Sequence, residues 1–187
     1  MVALSELWLP ILLSAVAVFL ASFVAWMILP FHKSDFRRLP SEEQVVSAIR
    51  ASKAGPGQYM FPYCESPEEM KNPEFMKKLA EGPSGMLTLR KPGPPNMGSA
   101  MAVSILYNAV VALFVAYLAG RGVPPGAPAG HVFRMVTTAT LLAYAGGLFY
   151  PAIWMGRPWS TVLKDVVDSL AYAVLTGALF VFFWPAA

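Results

Sequence analysis

Four charged residues fall within a dozen positions in "IWMGRPWSTVLKDVVDSLAY", residues 153–172: Arg157, Lys164, Asp165 and Asp168. They stand beside an apolar run, and paired carboxylates next to basic groups can hold a proton, hold a cation, or neutralise one another. Lys164 and Asp168 are spaced i, i+4, so on a helix they can pair. Arg157 stands across a turn and can reach the same cluster. Asp165 and Asp168 fall in the first two turns of a helix capped by Ser160 or Thr161, where the dipole favours negative charge. The plain interpretation is an interfacial cluster that fixes the turn and the depth of the helix. A sharper one makes Asp168 a proton or cation site facing a bundle interior. A third sets Tyr150, Arg157 and Asp168 around a lipid substrate.

Other reactive side chains are sparse. His32 and His131 flank different apolar runs and are expected on opposite membrane faces, so they do not form one ligand pair. Cys64 is the single cysteine, which leaves no internal disulfide and no multi-cysteine metal site. It has no neighbouring His to activate it. Met60, Met70, Met76 and Met86 are soft ligands in principle, but flexible packing is the ordinary role of methionine. No phosphate loop or nucleophile elbow is present. No cofactor or metal is expected, and an enzyme is less expected than a non-enzymatic protein.

The elements that position the charged cluster are long apolar runs. Apolar residues make up 56% of the 187-residue chain, charged residues only 13%, and the mean hydropathy is +0.52. That charged share is about half the usual one. Runs of about 20 apolar residues are long enough to span a bilayer. Four occur, at residues 7–29, 99–120, 132–156 and 166–185. Backbone groups in hydrocarbon must pair within their own element, so each run is expected to be a helix. The leader "MVALSE" lacks Lys and Arg, and the first run exceeds a signal-peptide core, so it is expected to be a retained span. Trp8, Trp26, Trp154, Trp159 and Trp184 fall near the expected ends, at headgroup level. The fold expectation is an all-α membrane protein: a four-helix transmembrane bundle with a small helical or irregular segment between the first and second spans. The divisions are 1–30, 31–98 and 99–187.

Lys33, Arg37, Arg38, Arg90, Lys91, Arg157 and Lys164 flank one side of the expected spans, and Arg121 and Arg134 the other. This bias predicts a cytoplasmic position for the first side and for residues 31–98, with both termini outside. The net charge of +3 therefore points to a membrane surface and away from nucleic acid. Within residues 31–98, Ser41 with Gln44 reads as a capping box. Ser66 or Asn72 followed by Pro reads as a second helix start, and Gly82 as a helix stop. The segment holds ten basic and eight acidic residues and is expected to form a small cap under the bundle.

Small residues recur at spacing four in every run: Ala17, Ala21 and Ala25; Asn108, Ala112, Ala116 and Gly120; Ala139, Ala143 and Gly147; Ser169, Ala173 and Gly177. Such stripes let helix backbones approach closely in lipid. Some are expected to serve contacts with other membrane subunits or with a second copy, alongside membrane lipids. Asn108 is expected to act as packing glue.

The stretches "LPFHKSDFRRLPSEEQ", "GQYMFP", "EGPSGML" and "IWMGRPWSTVLKDVVDSLAYAVLTGALFVFFWP" resemble a group of uncharacterised bacterial four-span membrane proteins. The resemblance implies a bacterial inner membrane and four spans. It carries over no functional residue. With few reactive groups and much packing surface, the expected function is that of a structural or accessory membrane subunit. A small proton or cation transporter centred on Asp168 is the alternative.

Overall fold

The computed structural model describes all 187 residues. Four helical stretches are long and apolar enough to cross a membrane: Trp8–Ile28, Met97–Gly122, Ala129–Met155 and Trp159–Phe182. They overlap the four expected runs, and the fourth starts seven residues before its run, at Trp159 instead of residue 166. The helices are α1 (Trp8–Phe23), α2 (Glu42–Ala51), α3 (Pro73–Glu81), α4 (Met97–Gly122), α5 (Ala129–Ala145), α6 (Tyr150–Met155) and α7 (Trp159–Phe182). Two strands, β1 (Gly57–Phe61) and β2 (Gly85–Leu89), form an antiparallel ribbon. The chain divides into two compact units.

The first unit holds the spans. α1 packs on α4 and α7, and α5 packs on the same two, so the four helices close a ring in the order α1, α4, α5, α7. One end of this bundle gathers both termini: Val2 N–H donates to Gly120 C=O at 2.9 Å, and Gly126 N–H to Pro185 C=O at 2.9 Å. A Cβ at Gly120 would lie 2.7 Å from the Val2 carbonyl oxygen, so only glycine admits this approach. The interior of the same half is mainly apolar. Val2, Leu7, Ile11, Val115, Ala116, Val132, Val136 and Phe180 form one buried cluster. Most buried polar side chains, Asn108, Thr140, Asp168 and Ser169 among them, come from the middle of the bundle and its other half, with Thr176 an exception.

Two of the expected stripes line the interior: Asn108, Ala112, Ala116 and Gly120 on α4, and Ser169, Ala173 and Gly177 on α7, are buried. Ala17 and Ala21 are half-buried, because α1 turns Ile11, Ser14, Ala15 and Val18 inward instead. Ala143 and Gly147 correct the third stripe: both face outward, and a Cβ at Gly147 would meet nothing within 4 Å.

The third span is also interrupted. Pro151 lacks an N–H and its ring crowds the carbonyl four residues back, at Gly147. α5 therefore stops at Ala145 and the chain restarts as α6, with Gly147 outside both. Gly156, at φ +71°, ends α6. The expected cap of the fourth helix is likewise corrected. α7 begins at Trp159 after Pro158, without a side-chain cap bond, so neither Ser160 nor Thr161 caps it.

The second unit comprises Arg37–Pro95 with Trp154–Gly156. Asn72 caps α3, its side chain accepting from Glu74 N–H at 2.9 Å, and Gly82 ends it with φ +61°. Ser41 precedes α2 but takes a left-handed conformation and makes no side-chain cap bond, so the expected capping box is not formed. In the ribbon, Tyr59 opposes Leu87 and Met60 opposes Met86. Sequence spacing alone had not paired these segments, because 23 residues, including α3, separate the strands.

Candidate functional site

At the end of the bundle opposite the termini, the four expected charges sort into separate partnerships. Arg157 pairs with Asp165 at 2.5 Å across the turn between α6 and α7. Lys164 does not pair with Asp168. Its ammonium donates to Asp35 Oδ1 at 2.6 Å and to Ser34 Oγ at 2.8 Å. Asp168 instead takes the imidazole of His32, with Nε2 and Oδ2 2.9 Å apart. The i, i+4 geometry was available on α7, but a nearer set of partners from residues 32–35 outcompetes it.

A local break in α1 brings those partners into place. Its last turn, Val24–Ile28, widens to an i→i+5 pattern, with Leu29 N–H donating to Val24 C=O at 2.9 Å. Pro30 then forces Leu29 into an extended conformation. A short turn, Pro30–His32, follows and carries His32 back against α7. Trp26, on the widened turn, stacks on the His32 ring at 3.9 Å with the planes 4° apart. Phe31 meets the same ring edge-on. Lys164 Nζ stands 5.5 Å over the Phe31 ring.

His32 is thus held on four sides. Its Nδ1 lies 2.6 Å from Asp35 Oδ2, and its Nε2 faces Asp168. His32 is 4% exposed and Asp168 8%. A neutral imidazole has one N–H and can donate to only one carboxylate, whereas the doubly protonated ring donates to both. In that state three carboxylates (Asp35, Asp165, Asp168) face three cations (Arg157, Lys164, His32), and the site is neutral. Burial of the Asp35 carboxyl acts to raise its pKa. Hydrogen bonds from Lys164 and His32, and then their charges, outweigh it and hold the group below its usual value of 3.8.

A line of polar side chains leads from Asp168 into the bundle. Tyr172 lies one turn further along α7, and its ring meets that of Tyr144 at 5.5 Å. Tyr144 O–H donates to Asn108 Oδ1 at 3.0 Å, and Asn108 Nδ2 reaches Ala15 C=O at 3.5 Å. Asn108 therefore bridges α1, α4 and α5. Beyond it lies the apolar cluster.

Each acid is taken up by His32, Lys164 or Arg157, and no group of three His, Cys, Asp or Glu residues is arranged to hold a metal ion. Sequence reasoning found Arg157, Lys164, Asp165 and Asp168 but missed His32, Ser34 and Asp35. The available signal was "PFHKSD": a histidine and an aspartate three apart, directly after the first span and on the same expected membrane side as Arg157 and Lys164. Set against known protein families, curated proteins and solved structures, the chain matches none of them.

Proposed function

We propose that the chain is a non-enzymatic integral membrane protein that acts as an accessory subunit, binding other membrane proteins through its spans. The observation that carries this reading is the break in the third span. Gly147 faces outward and belongs to neither α5 nor α6, and its N–H and C=O have no hydrogen-bond partner in the chain. Unpaired backbone in a membrane-spanning segment costs several kcal/mol per group unless protein or water covers it. A helix of another subunit packed over Ala143 and Gly147 would supply that cover. The charged site agrees with a holding role, because its ionised groups are spent on each other. The resemblance to bacterial four-span proteins favours a bacterial inner membrane, and the Lys and Arg bias then favours both termini on the periplasmic side.

The test uses Ala143→Leu and Gly147→Leu. Both positions face open space, so the folded chain tolerates the added bulk. Each variant should melt like the parent in mild detergent yet lose the partner, or the self-association, that the parent retains. A parent chain that is a lone monomer in native-membrane crosslinking and in detergent would refute the reading.

One observation favours a second reading, a proton-carrying site at Asp168. His32 joins that buried carboxylate to a second one, and ionisable groups inside membrane segments are commonly functional. Asp168→Asn should then abolish proton-dependent flux in liposomes. An unchanged flux removes this alternative.

A further inference from the structure

The ribbon of β1 and β2 leaves apolar side chains in the open. Met60 is 50% exposed, Phe61 42% and Tyr63 67%, and every residue of β1 is exposed. A two-stranded ribbon is marginally stable in water unless something covers a face. Basic residues surround its other end. Lys53 stands four residues before β1, and Arg90 and Lys91 directly follow β2. None of these three is in an ion pair; in Arg37–Pro95 the paired cations are Arg38 and Lys77. No acidic residue occurs in residues 44–64 or 82–164.

Chain length limits where this end can lie. Six peptide steps link Lys91 to Met97, the first residue of the second span. Even fully extended they reach only about 20 Å. The basic end of the ribbon is therefore tethered close to a membrane entry point, where anionic headgroups are concentrated. Aromatic and Met side chains beside unpaired Lys and Arg make a surface that suits the interface: rings at headgroup level and cations on lipid phosphates.

We propose that the β1–β2 ribbon docks on the surface of an anionic bilayer by the face that carries Met60, with Met60 and Tyr63 inserted at headgroup depth and Lys53, Arg90 and Lys91 bound to lipid phosphates. β2 is already half-buried within the unit, and the lipid surface is the cover that β1 lacks. This docking does not depend on the subunit role, since it needs only the spans to lie in a membrane.

Full-length protein with Cys64→Ser tests it, carrying Met60→Cys or Tyr63→Cys and an environment-sensitive fluorophore. Ser47→Cys, on the exposed side of α2, serves as the reference. The protein is reconstituted in phosphatidylcholine vesicles with and without phosphatidylglycerol, and spin-labelled lipid is the quencher. Quenching at positions 60 and 63 should exceed that at 47 several-fold in the anionic vesicles. It should fall at about 1 M salt, where screening acts within ~3 Å, and in Arg90→Gln/Lys91→Gln. Equal quenching at 47, 60 and 63 would overturn the proposal. So would labels shielded from aqueous iodide but untouched by lipid quencher, which would mark a protein partner.

Discussion

His32 Nε2 lies 2.9 Å from Asp168 Oδ2, although 136 positions separate the two residues in the chain. This bond ties the end of the first span to the fourth. Removing one member of a buried polar pair leaves the other group without its partner, which costs about 3 kcal/mol where the group left behind is charged. His32→Ala should show a loss of that order in detergent unfolding, since it strands Asp168 and also ends the stacking on Trp26. Asp168→Asn keeps an oxygen that can accept from Nε2–H, so its loss should be nearer about 1 kcal/mol. Equal stability of both variants and the parent would refute the latch.

Acid should loosen the same corner. The Asp35 pKa is lower in the folded chain than the usual 3.8. The unfolded chain therefore binds the proton first, and the stabilisation from ionised Asp35 is present above that value. It is lost as pH falls through the folded value. Lys164→Gln removes a hydrogen bond and a charge that hold the pKa down, so its folded value rises and the acid transition moves to higher pH. Melting curves collected from pH 6 down to the acid limit check both statements. A Lys164→Gln transition at the parent's pH would contradict them.

Spans and site differ in how far the sequence reveals them. The spans are legible because about 20 apolar residues in a row admit few alternatives in lipid. Local signals at Asn72 and Gly82 read correctly, since Asx caps and positive-φ stops depend on near neighbours only. Ser41 failed because a left-handed residue cannot aim its hydroxyl at the helix end. The site was half legible. Spacing brought out Lys164 and Asp168 as a local pair, but the partners each one takes arrive from residues 32–35. A widened turn and Pro30 set that approach, and a 3.6-residue periodicity does not encode it. The break at Gly147 was hidden inside an unbroken apolar run, although Pro151 marked it.

The Arg157–Asp165 pair should matter less than the His32 bonds despite its short contact. Arg157 keeps 32% of its side chain exposed, so water screens the pair. Exposed pairs contribute roughly 0–1 kcal/mol. Arg157→Gln should therefore cost under about 1 kcal/mol, and raising the salt concentration should shrink the difference from the parent. A loss equal to that of His32→Ala would mean that the turn before α7, and not the His32 bond, holds this end of the bundle together.

Gly177 offers the sharpest packing test. A Cβ there would overlap Thr137 Oγ1 and press on the Phe133 ring at 3.0 Å. Thr137 Oγ1 is buried and has no hydrogen-bond partner, so shortening that residue forfeits no bond. Van der Waals contact drives helix association in lipid, and overpacking of a tight interface typically costs 1–3 kcal/mol. Gly177→Ala should lose about that much stability in detergent unfolding. Thr137→Ala should be nearly neutral alone and should restore much of the loss when combined with Gly177→Ala. Purely additive effects would show that α5 and α7 do not meet at these two residues, because substitutions at non-touching sites add independently.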